Sequence, residues 1–150
     1  MANQKWQELL IQEYGGNAVE NGNNSYSLEL NNCLVNMEPK DDHLFLYTSI
    51  AILPQNVDKE IYECLLELNF LGLGSGGGHV GLHKDTRILV YSLIVELDTL
   101  DAHRLRNNLM LFVNKAVEII KKYEEVVSEA EKDNTAEILS SINLGNVVWG

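Results

Sequence analysis

The chain has 150 residues, 45% hydrophobic, 22% charged and 7% aromatic, a length and composition that suit one globular domain with a single core. Eleven Lys and Arg stand against 22 Asp and Glu, and the formal net charge of −11 argues against nucleic acid and against anionic membrane surfaces. Such a charge keeps a sticky protein soluble and suits basic or apolar polypeptide partners.

The first predicted element is an amphipathic helix over residues 3–14, with Trp6, Leu9, Leu10 and Tyr14 on one stripe and Gly15-Gly16 as its stop. Residues 17–25 read as a loop from their composition, Asn21-Gly22-Asn23-Asn24 lying inside it. Three short strands follow: Tyr26–Leu30, Cys33–Glu38 and His43–Ile50, joined by turns at Asn31-Asn32 and at Pro39–Asp42. The third strand carries Leu44, Leu46 and Ile50 on one face and Phe45 and Tyr47 on the other, the pattern of a sheet covered on both sides.

A second helix begins near Asn56, the expected N-cap, and presents Ile61, Cys64, Leu65 and Leu68 as one stripe. Leu66, Phe70 and Leu71 lie off that stripe, and a helix apolar on more than one side is buried by more than its own sheet. A dimer contact is one solution and a thicker monomer core is the other. After the glycine run Gly72–Gly78 comes a hairpin, with His79–Leu82 and the long strand Arg87–Leu97 as its arms. Asp98 or Thr99 caps a last helix, in which Leu105, Leu109, Phe112, Ala116, Ile119, Tyr123 and Val126 give the most regular spacing in the chain. This helix is expected to end near residue 132. The fold class is therefore α+β, in the order α-β-β-β-α-β-β-α, with one twisted antiparallel five-stranded sheet flanked by helices. Residues 1–133 form the domain, and 134–150 form a tail.

No catalytic or cofactor constellation emerges. Gly72-x-Gly74-x-x-Gly77 satisfies G-x-G-x-x-G, but here a helix precedes the glycines and a strand follows. A helix C-terminus repels phosphate, so Gly72, Gly74, Gly76, Gly77 and Gly78 read as a structural loop. His79 and His83 would stand ~13 Å apart on a strand, too far to share a metal ion. The carboxylates fall at turns and on solvated helix faces, with no pair singled out for acid–base work. Cys33 and Cys64 form no C-x-x-C. The N-terminus, Met1-Ala2-Asn3-Gln4-Lys5-Trp6, lacks the apolar core of a signal peptide. The expected compartment is a reducing cytoplasm with both thiols buried, and the expected chain has no metal, no cofactor, no membrane insertion and no enzymatic activity.

The run from Leu65 to Leu82, with Glu67-Leu68-Asn69, then Gly74-Ser75-Gly76-Gly77 and Gly81-Leu82, resembles the signature of the type III secretion chaperones of the CesT/SycE-like, class I family. Val35–Pro39 and the stretch from Leu46-Tyr47 to Leu53-Pro54 are similar to that family as well. The likeness covers residues 3–130, with His83 standing where the family often has Asp and with no family counterpart for the tail. It implies a homodimer joined through the second helix and the fourth strand, here Ile61, Cys64, Leu65, Leu68, Val80 and Leu82. It also implies an ATP-independent chaperone of the bacterial cytoplasm. Such a protein holds the N-terminal segment of secreted effectors in a non-globular state and delivers it to the secretion apparatus and its ATPase. The expected effector-binding residues are Trp6, Leu9, Leu10, Leu28, Leu30, Phe45 and Tyr47. The alternative is a regulatory or interaction protein of the same fold that escorts no effector. The tail reads either as a frayed end or as a segment whose Val147-Val148-Trp149 fills a pocket in place of effector.

Overall fold

A computed structural model describes the backbone of residues 2–149 and the side chains of residues 5–133 and 135–140. Its elements are α1 (Ala2–Tyr14), β1 (Ala18–Gly22), β2 (Ser25–Leu30), β3 (Cys33–Lys40), β4 (His43–Ile52), α2 (Lys59–Asn69), β5 (His79–His83), β6 (Ile88–Glu96) and α3 (Ala102–Trp149). The strands form one antiparallel sheet in the order β1-β2-β3-β4-β6-β5.

The described sheet has six strands where the sequence suggests five. The extra one, β1, pairs Ala18 with Leu28 and Gly22 with Ser25, inside the stretch read as a loop. Asn23 and Asn24 make the hairpin turn with φ of +51° and +62°, and Asn31 and Asn32 repeat it with +50° and +63°. Both pairs sit in the left-handed region that a two-residue hairpin turn with the right twist demands, and asparagine tolerates it. Two caps also move. Asp58 rather than Asn56 precedes α2, and Asp101 rather than Asp98 or Thr99 caps α3, its carboxylate accepting the Arg104 N–H at 2.8 Å.

Side chains of one parity build the core. Tyr26, Leu28, Cys33, Val35, Met37, Leu44, Leu46, Thr48, Leu89 and Tyr91 turn to the helices and are buried. Trp6 and Leu10 of α1 close one end, Trp6 meeting Tyr26 edge-on at 5.6 Å. From α3, Leu105, Leu109, Phe112, Ala116, Ile119 and Tyr123 fill the centre, with Phe112 stacked on Tyr91 at 5.0 Å. At Ile50 a bulge shifts the pairing of β4, so Ala51 joins the core edge while Ile52 is left 73% exposed.

The opposite parity has no helix among the described residues. Phe45 and Tyr47 are half-buried there, and Leu34 and Ile94 are 53% and 50% exposed. The sheet is thus covered on one face, not on two. The last helix also differs from expectation: α3 continues through residue 132 to Trp149. Its last described buried side chain is Ala130, and Ile138 and Leu139 project to solvent. Ala136, Glu137 and Leu139 are good helix formers, and no proline interrupts the run. The side chains of Val147, Val148 and Trp149, to which the pocket-filling idea refers, lie outside the described residues.

The glycine loop is locked from below. Gly72 and Gly77 take φ of +69° and +86°, and the Gly77 N–H donates to the Gly72 carbonyl at 2.8 Å. Tyr91 donates its hydroxyl proton to the carbonyl of buried Ser75 at 2.7 Å. Burial pushes the Tyr91 phenol up to about 12 from 10.0. A side chain at Gly78 would stand 2.4 Å from the Ser92 carbonyl oxygen and 2.7 Å from the Tyr91 ring.

Gly78→Ala is therefore expected to cost about 1–3 kcal/mol, read as a lower urea midpoint. Gly81→Ala is its control, since a Cβ there meets nothing within 4 Å, and it should shift stability by less than about 0.5 kcal/mol. The Tyr91 phenol gives a second expectation. Between pH 10 and about 12 the unfolded chain ionises this tyrosine first, so the stability it contributes is full below pH 10 and is lost as pH rises through the folded value. Tyr91→Phe should flatten the alkaline limb of a stability–pH curve, and an unchanged limb would contradict it.

Candidate functional site

Folding leaves apolar surface among the described residues. One patch lies on the outer side of α2 and the turn that follows. Leu66 is 71% exposed, Phe70 65%, Leu71 79% and Leu73 74%, with Tyr62 and Leu82 beside them at 42% and 40%. A groove of about 330 Å³ runs between this side of α2 and β5, floored by Leu65, Val80 and Leu89. The stripe Ile61, Cys64, Leu65, Leu68 has another destination. All four are buried against the chain's own body, as is Val80, so of the expected interface residues only Leu82 reaches the surface of the single chain. The hydrophobic spacing of α2 marks the contact with the chain's own body, and the residues off the stripe stay exposed.

Asn69 ties α2 to the sheet edge. Its Nδ2 donates to the Val80 carbonyl and its Oδ1 accepts the Val80 N–H, both at 2.8 Å. The amide thus does for Val80 what a neighbouring strand would do, and blunts the β5 edge at this residue. The sequence marks Asn69 only as part of the family signature and assigns it no role. Its signal was the Glu-x-Asn at the end of α2, which spacing alone does not interpret.

The second surface is the helix-free face of the sheet. A groove of about 510 Å³ there is lined by Glu38, Pro39, Lys40, Phe45, Tyr47 and Val90 among others. Burial first, and then the Glu38 carboxylate, push the Tyr47 phenol up from its ordinary value. Of the residues expected to bind an effector, Phe45 and Tyr47 lie on this face. Trp6, Leu10 and Leu28 lie on the other side of the sheet, buried at 1%, 0% and 0% exposure. Leu9 and Leu30 are partly buried and pack against the core. The seven residues therefore do not line one pocket: Trp6, Leu10 and Leu28 hold the fold, and Phe45 and Tyr47 are presented. Trp6→Asp would place a charge in the core, so it reports on folding before it reports on binding.

Cys33 and Cys64 are buried free thiols. His83 Nδ1 is bonded to Thr86 Oγ1 at 2.7 Å, in the turn between β5 and β6. Among the described residues no three His, Cys, Asp or Glu side chains come together as a metal site. Among them too, no helix is long and apolar enough to cross a membrane.

Comparison with known proteins places this architecture. No curated protein sequence matches the chain. Among solved structures, a chain of the complex between the Yersinia pestis type III secretion chaperone SycH and a stable fragment of YscM2 is similar at 20% identity. The match covers 79% of this chain and 99% of that one, with a TM-score of 0.57. A chain of the HopA1–SchA chaperone–effector complex is similar at 16% identity, covering 83% and 97%, with a TM-score of 0.61. A chain of the ExoU–SpcU heterodimer from the type III secretion system of Pseudomonas aeruginosa is similar at 14%, covering 81% and 93%, with a TM-score of 0.54. At these identities the likeness establishes the fold. Residues 8–119, three quarters of the chain, with the whole described sheet, α2 and parts of α1 and α3, match the model of one family, and the chain belongs to it: the Tir chaperone protein (CesT) family.

Proposed function

We propose that this chain is a type III secretion chaperone that binds the N-terminal segment of secreted effector proteins, keeps it non-globular, and hands it to the secretion apparatus and its ATPase. It works in the bacterial cytoplasm, without ATP and without chemistry of its own. Family membership supports the class, and the observation that carries the reading is apolar surface on a finished fold. Phe45, Tyr47, Val90 and Ile94 form a face on which a partner chain lacking structure of its own can lay alternate side chains. With a net charge of −11, that surface stays soluble until the partner arrives.

The working unit in this reading is a homodimer joined through the outer side of α2 and β5. Burying Leu66, Phe70, Leu71 and Leu73 at ~1.5–3 kcal/mol each offers roughly 6–12 kcal/mol. That is comparable with the ~4–15 kcal/mol that association costs, so the whole patch is needed and one buried charge is enough to break it. Leu66→Asp and Phe70→Asp are expected to give a folded monomer by light scattering with unchanged far-ultraviolet circular dichroism. A dimer that survives both substitutions places the interface elsewhere.

The helix-free face yields its own test. Phe45→Asp and Tyr47→Asp should weaken capture of the effector leader by tenfold or more, while thermal stability falls by only a few degrees. Wild-type affinity in both variants would remove this face from the binding site.

A further inference from the structure

The charges of α3 are arranged against its own dipole. Of the six Lys, Arg, Asp and Glu residues between 102 and 122, five are basic: Arg104, Arg106, Lys115, Lys121 and Lys122, with Glu118 as the acid. From 123 to 149 the balance reverses, and Glu124, Glu125, Glu129, Glu131, Asp133 and Glu137 stand against Lys132. A helix carries partial positive charge at its N-terminus and negative charge at its C-terminus, so it favours the opposite order. The basic half is also out of character with a chain in which acids outnumber bases by 22 to 11. Two of these cations are met within the chain: Arg106 pairs with Glu13 at 3.4 Å, and Lys115 with Glu118 at 2.9 Å. Lys121 and the acids from Glu124 to Asp133 form no ion pair among the described residues.

The side of α3 turned away from the core carries apolar side chains at both ends of this charge gradient. Met110 and Val117, 42% and 47% exposed, lie in the basic half, and Leu139, 55% exposed, lies in the acidic half. At the helical repeat the three fall within about 40° of one another, on the side opposite the buried stripe from Leu105 to Tyr123. Between them the same side holds a groove of about 370 Å³, lined by Lys121, Glu124, Glu125, Ser128, Glu129 and Lys132. Past Ala130 no described side chain of α3 is buried, so this half of the helix stands clear of the sheet. A second helix can therefore lie along it.

We propose that the outer side of α3 docks a second copy of this chain, the two helices antiparallel, so that the basic half of each lies on the acidic half of the other. With Lys121 set opposite Glu125 of the second copy, Lys115 falls opposite its Glu131, and Met110 comes within one turn of its Leu139. Two-fold symmetry makes each contact twice. A parallel pair would also match Met110 with Met110, but it would set Lys121 on Lys121 and Glu125 on Glu125. Charge thus selects the antiparallel arrangement, which also lays each helix dipole against its reverse. The surface is separate from the outer side of α2 and from the Phe45–Tyr47 face, and the proposal does not rest on the escort reading. With three apolar side chains per copy and a charged middle, the contact is weaker than the one through α2. It forms at higher protein concentration and joins two α2 dimers into a tetramer, so a dilute Leu66→Asp chain is still a monomer.

Cross-linking reads the orientation. Full-length chains with Met110→Cys are mixed with full-length chains with Leu139→Cys and treated with a short bis-maleimide, the native Cys33 and Cys64 being buried. The mixture should cross-link about tenfold faster than either chain alone, because only unlike ends meet. Charge exchange reads the register. Lys121→Glu or Glu125→Lys should each raise the concentration at which light scattering shows dimers becoming tetramers by about tenfold. Both substitutions in one chain restore opposite charges across the contact, and the midpoint should return to near its wild-type value. Lys121 and Glu125 are exposed, so far-ultraviolet circular dichroism should be the same in all three variants. The proposal is overturned if the mass stays constant from micromolar to millimolar chain, if Met110→Cys cross-links to itself as fast as to Leu139→Cys, or if the double variant fails to recover. Leu66→Asp separates this contact from the one through α2. Mixed cross-links that persist in concentrated Leu66→Asp chains support the proposal even if the α2 dimer is wrong, and their loss would place both signals at α2 and overturn it.

Discussion

The three described α-helices all pack against one face of the sheet, and this one-sided cover governs everything else in the molecule. Phe112 and Tyr91 stack at its centre, Trp6 and Tyr26 close one end, and α2 closes the other through Leu65 and Leu68. Once those contacts are made, no helix remains for the second face. Its residues are apolar enough to hold a partner and, in the company of Glu38, Lys40 and Ser92, polar enough to stand in water. The molecule is therefore complete as a core and incomplete as a surface. The groups shifted upward are tyrosines and a cysteine, each moved first by burial.

Edges matter as much as faces. Three devices limit open pairing in this sheet: the Asn69 amide satisfies Val80, β1 is short and polar, and the glycine loop leads into β5 against Ser92. The glycines serve this geometry. Gly78 lies where only a hydrogen fits between the chain and the Ser92 carbonyl, and the Tyr91 hydroxyl holds the loop through Ser75.

Much of this was legible in the residues. The α3 stripe from Leu105 to Tyr123 is buried as its spacing requires, and the alternation in β2, β3 and β4 separates the two faces of the sheet without saying which one the helices cover. The hairpin at Asn31-Asn32 is where the turn chemistry puts it. What stayed hidden has physical causes. β1 has only Ala18 and Val19 to suggest a strand, and its turn at Asn23-Asn24 was identical in kind to the one correctly read. Periodicity in α2 separates the stripe Ile61, Cys64, Leu65 and Leu68, which the chain's own body buries, from Leu66, Phe70 and Leu71 beside it, but does not say what covers either. Apolar residues on α1 and β2 were expected at a binding surface for the same reason. Composition does not distinguish a side chain that waits for a partner from one already enclosed by its own chain, as Trp6 and Leu28 are. The continuation of α3 past residue 132 has no such signal, because no described side chain there meets the core.

Hydrogen exchange on the purified complex of this chain with a secreted substrate bears most directly on the central claim, that surface left bare by folding receives an unstructured leader. If the claim holds, amides of the substrate's N-terminal segment exchange freely alone and slowly in the complex. The rest of the substrate is unchanged, and on this chain protection gathers on the sheet and its open edges. A substrate that binds through a folded domain, with its leader equally exposed in both states, would contradict it.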